Sequence, residues 1–182
     1  AHALARFAAM VQEAKMVPIV EPEVLMDGDH DINKCYQVTS NVLNECFNEL
    51  ELHKVDLKGI VLKPNMVISG MDAVNRADIP TVASATVKCL SENVPDEVPG
   101  IAFLSGGQTS EEATGHLNAM NEMGPHPWQL TFSYGRALQA EPLNVWSGED
   151  ENIPAAQESF IKRSRLNSLA RTGNYHPQME EA

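Results

Sequence analysis

Hydrophobic and polar positions follow two different periods along the chain, and together they predict alternating strands and helices. Four continuous apolar runs have the length of buried strands and cover 16–24, 59–63, 99–107 and 129–136. Each of the first three runs precedes a stretch in which apolar residues recur every three or four positions, the period of an amphipathic helix. These helices are predicted over 32–54, over 79–94 and from Thr109 onward.

Both ends of the chain are predicted to be largely helical as well. A helix is predicted over 2–15, with an apolar face made by Leu4, Phe7, Ala8 and Val11. No capping residue precedes this helix, so we expect the natural polypeptide to continue upstream of Ala1. The C-terminal part is predicted as helix over 137–172, with breaks near Pro142 and over 147–154, followed by a loose tail at 173–182.

The order of these elements indicates the fold class. Strands that are each followed by a helix predict an α/β fold with a parallel sheet and right-handed crossovers. The strands are continuously apolar and do not alternate, which is typical of a sheet covered on both faces. No linker or low-complexity segment interrupts the pattern. We therefore expect residues 1–182 to form a single domain of four βα units with C-terminal helices.

Composition narrows the class of protein further. The 182 residues are 43% hydrophobic and 21% charged, which is sufficient for one globular domain with a core. The net charge of −12 argues against nonspecific nucleic-acid binding. No apolar run is long enough to cross a bilayer, and no secretory leader is visible. Three cysteines without a CxxC pattern indicate reduced thiols, so we expect a cytoplasmic protein with neither nucleic-acid nor membrane partners.

Each predicted strand ends in residues that are unusual for a core. These exits are Glu21-Pro22-Glu23, Lys63-Pro64-Asn65, Ser105-Gly106-Gly107 and Ser133-Tyr134-Gly135-Arg136. In a parallel α/β protein the carboxyl ends of all strands lie at one edge of the sheet, where sites of this class are built. A single polar exit is usually structural, but four in succession predict a functional site.

Lys63 is the candidate nucleophile of this site. Apolar surroundings favour the uncharged amine of a lysine, which can attack a ketone and form a Schiff base. That reaction needs a proton shuttle, and Glu21 and Glu23 are predicted to project from one face of the neighbouring strand. Taken singly, Lys63 is also explained as a lysine that reaches solvent, and the two glutamates as surface groups.

The third and fourth exits are candidate phosphate ligands. Ser105 and Gly106 lie between a strand and a helix, where backbone amides and the helix dipole attract anions. Gly135 and Arg136 repeat the arrangement on the next strand and add a guanidinium. Ser-Gly-Gly alone is also a common turn. From the residues, the pattern predicts amine-dependent chemistry on a phosphorylated carbonyl compound.

A metal site is not predicted. The segment DGDHD at 27–31 does not fit the spacing of a calcium loop, and we expect Asp29 or Asp31 to cap the helix that follows. The six histidines contain neither an HxH nor an HxxxH pair.

The motifs EPE, LKPNM, FLSGGQ and SYGRAL resemble, in this order, the later strands of class I fructose-1,6-bisphosphate aldolase. The resemblance extends to Tyr175. It implies the second half of a (β/α)₈ TIM barrel, strands five to eight, and metal-free cleavage of fructose 1,6-bisphosphate to dihydroxyacetone phosphate and glyceraldehyde 3-phosphate. It also implies a homo-oligomer for the full-length protein.

The resemblance assigns roles to the strand exits. It makes Lys63 the Schiff-base nucleophile, with no cofactor beyond this covalent imine, Glu21 the acid/base for imine formation and Glu23 its electrostatic neighbour. The phosphate ligands that it implies are Ser105, Gly106, Ser133, Gly135 and Arg136.

Two departures from the family pattern leave alternatives open. An aspartate of the first barrel strand and lysines of the third and fourth have no counterpart here, and neither has the mobile tail that ends in tyrosine. One hypothesis is therefore a fragment of an aldolase, and a second is a half-barrel that binds sugar phosphate without cleaving it. A transaldolase-like or deoxyribose-phosphate-aldolase-like enzyme shares the lysine chemistry, but is not expected to combine EPE, SGG and SYGR.

Overall fold

The computed structural model describes residues 1–181 and contains four strands and six α-helices. The strands are β1 (Ile19–Val20), β2 (Val61–Leu62), β3 (Gly100–Phe103) and β4 (Gln129–Phe132). The helices are α1 (His2–Glu13), α2 (Ile32–Leu52), α3 (Ile79–Asn93), α4 (Ser110–Glu122), α5 (Arg136–Trp146) and α6 (Ile153–Ala170). Short 3-10 helices cover Leu57–Gly59, Asp150–Asn152 and Pro177–Glu181.

The four strands form one parallel sheet in the order β1-β2-β3-β4. The register pairs Val20 with Leu62, Leu62 with Ile101, and Phe103 with Phe132. Successive strands are neighbours, and successive helices α1 to α4 pack side by side. The α/β fold of parallel βα units, predicted from the sequence, is confirmed.

The sheet is covered by helices on one face only. Val20, Leu62, Ile101 and Phe103 are fully buried. The alternate positions point to the other face, where Ile19 is 52% exposed and Gln129 is also exposed. The expectation of a sheet covered on both faces is therefore wrong, because continuous apolar strands are equally typical of a sheet whose second face lines the inside of a barrel.

Helix caps follow the predicted chemistry. Asp31, and not Asp29, caps α2 and accepts a hydrogen bond of 2.8 Å from the backbone amide of Lys34. Thr109, where the sequence predicts this helix to begin, is the N-cap of α4 and forms a capping box with Glu112. These caps fix where the helices begin after the loops that follow the strands.

We expect Asp31→Ala to lower the free energy of unfolding by about 1 kcal/mol, because it leaves a helix amide without its acceptor. Urea unfolding followed by circular dichroism measures the change. Asp29→Ala is the matched control, since Asp29 is exposed and does not cap α2. Equal losses for the two variants would contradict the assignment of the cap.

Two features of the helices differ from the prediction, and a third is confirmed. Helix α5 continues through Pro142, because an isolated proline removes a single backbone hydrogen bond and the flanking turns remain helical. The break predicted over 147–154 is confirmed, since Ser147 and Gly148 both have positive φ and α6 begins at Ile153. On α1 the buried residues are Ala5 and Ala8, and Phe7 is 49% exposed, so the apolar face is rotated from the predicted one.

The C-terminal segment is packed, and the expectation of a loose tail is wrong for residues 173–181. Tyr175 is buried, and its amide donates to the side chain of Asn118. Arg163 of α6 is 2% exposed and holds both carboxylate oxygens of Glu180 at 2.8 Å. The buried charge of Arg163 requires this partner, which sequence patterns do not reveal. Ala182 lies outside the described residues.

The three cysteines are free and buried, and burial raises the pKa of the Cys46 thiol to about 11. Across residues 1–181, none of the helices combines the length and the apolar character that a membrane span requires.

Candidate active site

The first two strand exits meet in a direct contact. Lys63 follows β2, and its backbone amide donates to the carbonyl of Val20, so the ladder continues one residue beyond the strand. This register places Lys63 beside Glu21, and its Nζ lies 2.9 Å from Glu21 Oε1. The side chains are 20% and 41% exposed. An amine and a carboxyl at this distance can exchange a proton directly.

Lys63 is less shielded than the sequence indicated. It lies on the face of the sheet that helices do not cover, so part of its side chain reaches solvent. The prediction that apolar strand residues surround it is wrong, since those residues, such as the fully buried Leu62, lie on the covered face. The alternation of side chains along a strand explains the difference, because neighbours in sequence point to opposite faces.

Asn65 joins these two exits and was not identified as a site residue from the sequence. Its Oδ1 accepts from the amide of Val24, and its Nδ2 donates to Thr39 in α2. Asn65 is 2% exposed, and its hydrogen bond to Thr39 is fully buried. The side chain therefore ties the segment after Glu23 to the segment after Lys63. Its place inside the LKPNM motif was the available signal.

Ser105 and Gly106 form a tight turn at the third exit. The amide of Gln108 donates to the Ser105 carbonyl, and the amide of Leu104 donates to the carbonyl of Pro64. A side chain on Gly106 would begin 3.4 Å from Glu23 Oε1. Glu23 thus lies against this turn, although its predicted place was beside Glu21. Strand β1 ends at Val20, so Glu23 lies outside the strand whose alternation the prediction used.

Two further residues hold the turn and were missed by sequence reasoning. Arg76 donates to the Gly107 carbonyl at 2.9 Å and lies 3.3 Å from the carboxylate of Glu112. His116 of α4 contacts Gln108 at 2.7 Å, and burial lowers the pKa of His116 to about 4. Arg76 lies in a loop without any periodic pattern, so only the tertiary structure could reveal it.

Gly107 is required for both conformation and space. Its φ is +73°, and a Cβ atom would lie 2.7 Å from Met26 Cβ. We expect Gly107→Ala to lower the free energy of unfolding by about 3 kcal/mol, because strain at positive φ adds to the clash. Gly148→Ala is the matched control, since Gly148 has φ +82° and open space around it. Thermal or urea unfolding of both variants separates the strain at positive φ, which both share, from the clash, which only Gly107→Ala has. Equal losses of unfolding free energy would contradict the clash with Met26.

The fourth exit leads directly into α5. The amide of Ser133 donates to the carbonyl of Phe103, so Ser133 lies beside the end of β3. Gly135 is the N-cap of α5, and Arg136 is its first residue, not the last residue of a strand. Both are exposed. Tyr134 is buried and donates to the carbonyl of Ala113, which anchors this exit to α4.

Arg136 shares a cleft of about 290 Å³ with Gln108, Thr109 and Ser110, the residues that follow the third exit. Glu111 and Glu141 also line the cleft, so it is not uniformly basic. The structure therefore brings the third and fourth exits together at the beginnings of α4 and α5. The Glu21–Lys63 pair lies apart from this cleft, at the exits of the first two strands, β1 and β2.

Within residues 1–181, one group of three side chains has the composition and spacing of metal ligands, and it contains none of the strand-exit residues. These side chains are His2, Glu49 and His53. The strand exits instead present an amine, carboxylates, hydroxyls and backbone amides, which suit covalent chemistry on an anionic carbonyl compound.

Comparison with known proteins gives a consistent result. A family model described as fructose-bisphosphate aldolase class-I, of the glycolytic type, matches residues 1–182. The chain is 54% identical over 176 residues to "Fructose-bisphosphate aldolase B" of Gallus gallus, covering 96% of this chain and 48% of that relative. It is 51% identical over 176 residues to "Fructose-bisphosphate aldolase 4, cytosolic" of Arabidopsis thaliana, covering 96% of this chain and 45% of that relative.

A solved structure is equally similar. The fructose-bisphosphate aldolase of Plasmodium falciparum, crystallised in complex with TRAP and a small-molecule inhibitor, superposes with a TM-score of 0.94 at 49% identity. The match covers 97% of this chain and 51% of that chain. The chain thus spans about half the length of the relatives that it matches.

Proposed function

This chain belongs to the class I fructose-bisphosphate aldolase family, and on that premise we propose that Lys63 forms a Schiff base with a ketose phosphate in reversible aldol cleavage. The observation that carries the proposal is the 2.9 Å contact between Lys63 Nζ and Glu21 Oε1. A nucleophilic amine with an adjacent carboxyl is the minimum that imine chemistry requires.

The proposed steps follow from this pair. Glu21 accepts a proton from Lys63, and the free amine attacks the substrate ketone to give a carbinolamine. Glu21 then returns a proton to the carbinol hydroxyl, which leaves as water as the imine forms. The Glu21 carboxylate then takes the proton of the hydroxyl on the β carbon, and the bond between the α and β carbons breaks as its electron pair moves to the protonated imine. The β carbon leaves as an aldehyde, and an enamine remains on Lys63. Glu23 supports this site electrostatically.

We assign the phosphate of the ketose to the third and fourth exits. Ser105, Gly106, Ser133 and Gly135 would present hydroxyls and backbone amides, and Arg136 a guanidinium. The cleft that Arg136 shares with residues 108–110 supports the assignment. The substrate would then extend along the carboxyl edge of the sheet, from Arg136 to Lys63.

The remaining parts of the proposal follow from the same chemistry. The substrates are fructose 1,6-bisphosphate and the triose phosphates dihydroxyacetone phosphate and glyceraldehyde 3-phosphate, and the imine on Lys63 replaces any metal or organic cofactor. We place the protein in the cytoplasm, as the name of the Arabidopsis relative indicates for that protein. We assign a homo-oligomer to the full-length protein.

A second candidate function is binding of sugar phosphate without cleavage. The uncovered face of the sheet favours it, because Lys63 remains partly open to water that competes with imine formation. The two candidates differ in one observable, the covalent bond to Lys63.

Reduction with sodium borohydride in the presence of dihydroxyacetone phosphate tests the proposal. An imine on Lys63 would be reduced to a stable secondary amine, and peptide mass spectrometry would find the label at that residue. Reduction without the ketose is the blank. Binding of dihydroxyacetone phosphate without a label on Lys63 would favour the second candidate, and neither binding nor label would refute both.

We expect Arg136→Ala to weaken dihydroxyacetone phosphate binding by about 1–2 kcal/mol, roughly tenfold in the dissociation constant. The effect is modest because Arg136 is exposed and Glu111 and Glu141 share its cleft. The ketose concentration that gives half-maximal labelling measures the change. Arg171→Ala, at an exposed arginine after α6, is the control and should leave that concentration unchanged. Equal values for the two variants would exclude Arg136 as a phosphate ligand.

A further inference from the structure

Two helices bring three potential metal ligands together at a place that the proposed reaction does not use. His2 is the first residue of α1, Glu49 lies in the last turn of α2, and His53 is the C-cap of α2. Their candidate ligand atoms all lie within 4.8 Å of one another. The sequence did not reveal the group, because its members are separated by up to 51 positions, counted from His2 to His53.

The spacing agrees with tetrahedral coordination. Around Zn²⁺, with bonds of 2.0–2.1 Å, neighbouring ligand atoms are about 3.3 Å apart. His2 Nδ1 lies 3.0 Å from Glu49 Oε2, and His53 Nδ1 lies 3.5 Å from the same oxygen. Two edges of the tetrahedron are therefore formed already. The ligand atoms of the two histidines lie within 4.8 Å of each other, and the His2 side chain can adjust to a bound ion because it is 69% exposed.

The donor set selects the kind of cation. Two imidazoles and one carboxylate suit Zn²⁺ and similar transition-metal ions, whereas Ca²⁺ and Mg²⁺ prefer oxygen ligands alone. Three protein ligands leave a fourth position for water. From this geometry we infer that His2, Glu49 and His53 form a Zn²⁺ site that fastens α1 to the end of α2.

The site lies at the opposite edge of the sheet from Lys63. In a parallel βα unit the helix runs back toward the amino ends of the strands, so the C-terminus of α2 lies at that edge. The chain after His53 leads through the 3-10 helix Leu57–Gly59 directly into the amino end of β2 at Val61. The Zn²⁺ site thus has a structural role and is independent of the proposed Schiff-base chemistry.

One existing contact competes with the metal. His53 Nδ1 lies 2.9 Å from the backbone carbonyl of Glu49, which is the hydrogen bond expected of a histidine that caps a helix end. Zn²⁺ needs an unprotonated ring nitrogen, so the proton of His53 must reside on Nε2 in the bound form. The site therefore exchanges this hydrogen bond for a metal bond, and its affinity is lower than that of a preformed site.

Titration of the tag-free 182-residue protein with Zn²⁺ against a chromogenic indicator tests the inference. We expect one equivalent to bind, with a rise in Tm that depends on the Zn²⁺ concentration. His53→Ala and His2→Ala should each weaken Zn²⁺ binding by at least about tenfold. Loss of a hydrogen bond that supports a metal ligand already weakens binding by about this much, and loss of the ligand itself should cost at least as much. His176→Ala is the matched control, an exposed histidine outside the group that should leave binding unchanged.

Of the two ligand variants, His2→Ala carries the smaller risk of unfolding the protein, because His2 is exposed at the beginning of a helix and its replacement leaves the core unchanged. Circular dichroism of each variant without Zn²⁺ verifies the fold before titration. Wild-type protein that binds no Zn²⁺, or that binds it as tightly as the His2→Ala variant, would overturn the inference. The same would follow if His176→Ala removed the binding.

Discussion

Lys63→Ala is expected to abolish borohydride-dependent labelling by dihydroxyacetone phosphate. Alanine has no amine, so no imine can form at this position, and the label should fall to the level of the blank without ketose. The variant removes a side chain from the uncovered face of the sheet, where Lys63 keeps 20% exposure, so the fold should survive. Intact-protein mass spectrometry measures the labelled fraction directly, and circular dichroism verifies that the variant is folded.

Two further variants sharpen this test. Lys58→Ala replaces an exposed lysine just before β2 and should label as the wild type does. Glu21→Gln keeps the shape of the carboxyl but cannot shuttle protons, so we expect labelling to slow by on the order of 100-fold without being abolished. Full labelling of the Lys63→Ala protein would mean that another amine is the nucleophile, and an unchanged rate for Glu21→Gln would remove Glu21 from the proton transfers.

Arg163→Ala is expected to lower the free energy of unfolding by about 3 kcal/mol. Arg163 is almost fully buried in α6, where it holds both carboxylate oxygens of Glu180 and donates to Thr114 of α4. The replacement leaves Glu180, which is 19% exposed, without its counter-charge and leaves a gap under the C-terminal segment. Urea unfolding measures the loss, and proteolysis should begin within residues 173–181.

Arg165→Ala provides the comparison within the same helix. Arg165 is exposed, so its replacement should change the free energy of unfolding by less than about 0.5 kcal/mol. The double variant Arg163→Met, Glu180→Gln keeps the volume and removes both charges, so it should recover part of the stability lost in Arg163→Ala. If Arg163→Ala and Arg165→Ala were equally stable, the ion pair with Glu180 would contribute nothing to the packing of the C-terminal segment.

The family and the fold class could be predicted because they depend on local patterns. Continuous apolar runs followed by amphipathic stretches indicated the parallel βα units, and EPE, LKPNM, FLSGGQ and SYGRAL indicated the aldolase family; both predictions are confirmed. The caps at Asp31 and Thr109 were equally accessible, since capping acts within three or four residues along the chain. The exits of β1 and β2 were expected to be neighbours, and the Glu21–Lys63 contact shows that they are.

These local patterns did not predict contacts between segments that are distant in the chain. Arg76 lies in a loop and approaches Gly107 only because the chain folds back, and Glu180 meets Arg163 through the packing of the C-terminal segment against α6. Strand alternation predicted Glu23 beside Glu21, but β1 ends at Val20 and Glu23 lies against the turn at Gly106.

The sequence by itself determined the order of strands and helices, the residues at the strand exits and the aldolase family. Each of these depends on patterns among residues that are close together in the chain. Only the tertiary structure decided which face of the sheet remains uncovered, that Lys63 contacts Glu21, and that His2 meets Glu49 and His53. The physical reason is that side-chain contacts depend on the register and packing of whole elements, which residues far apart in the chain determine jointly.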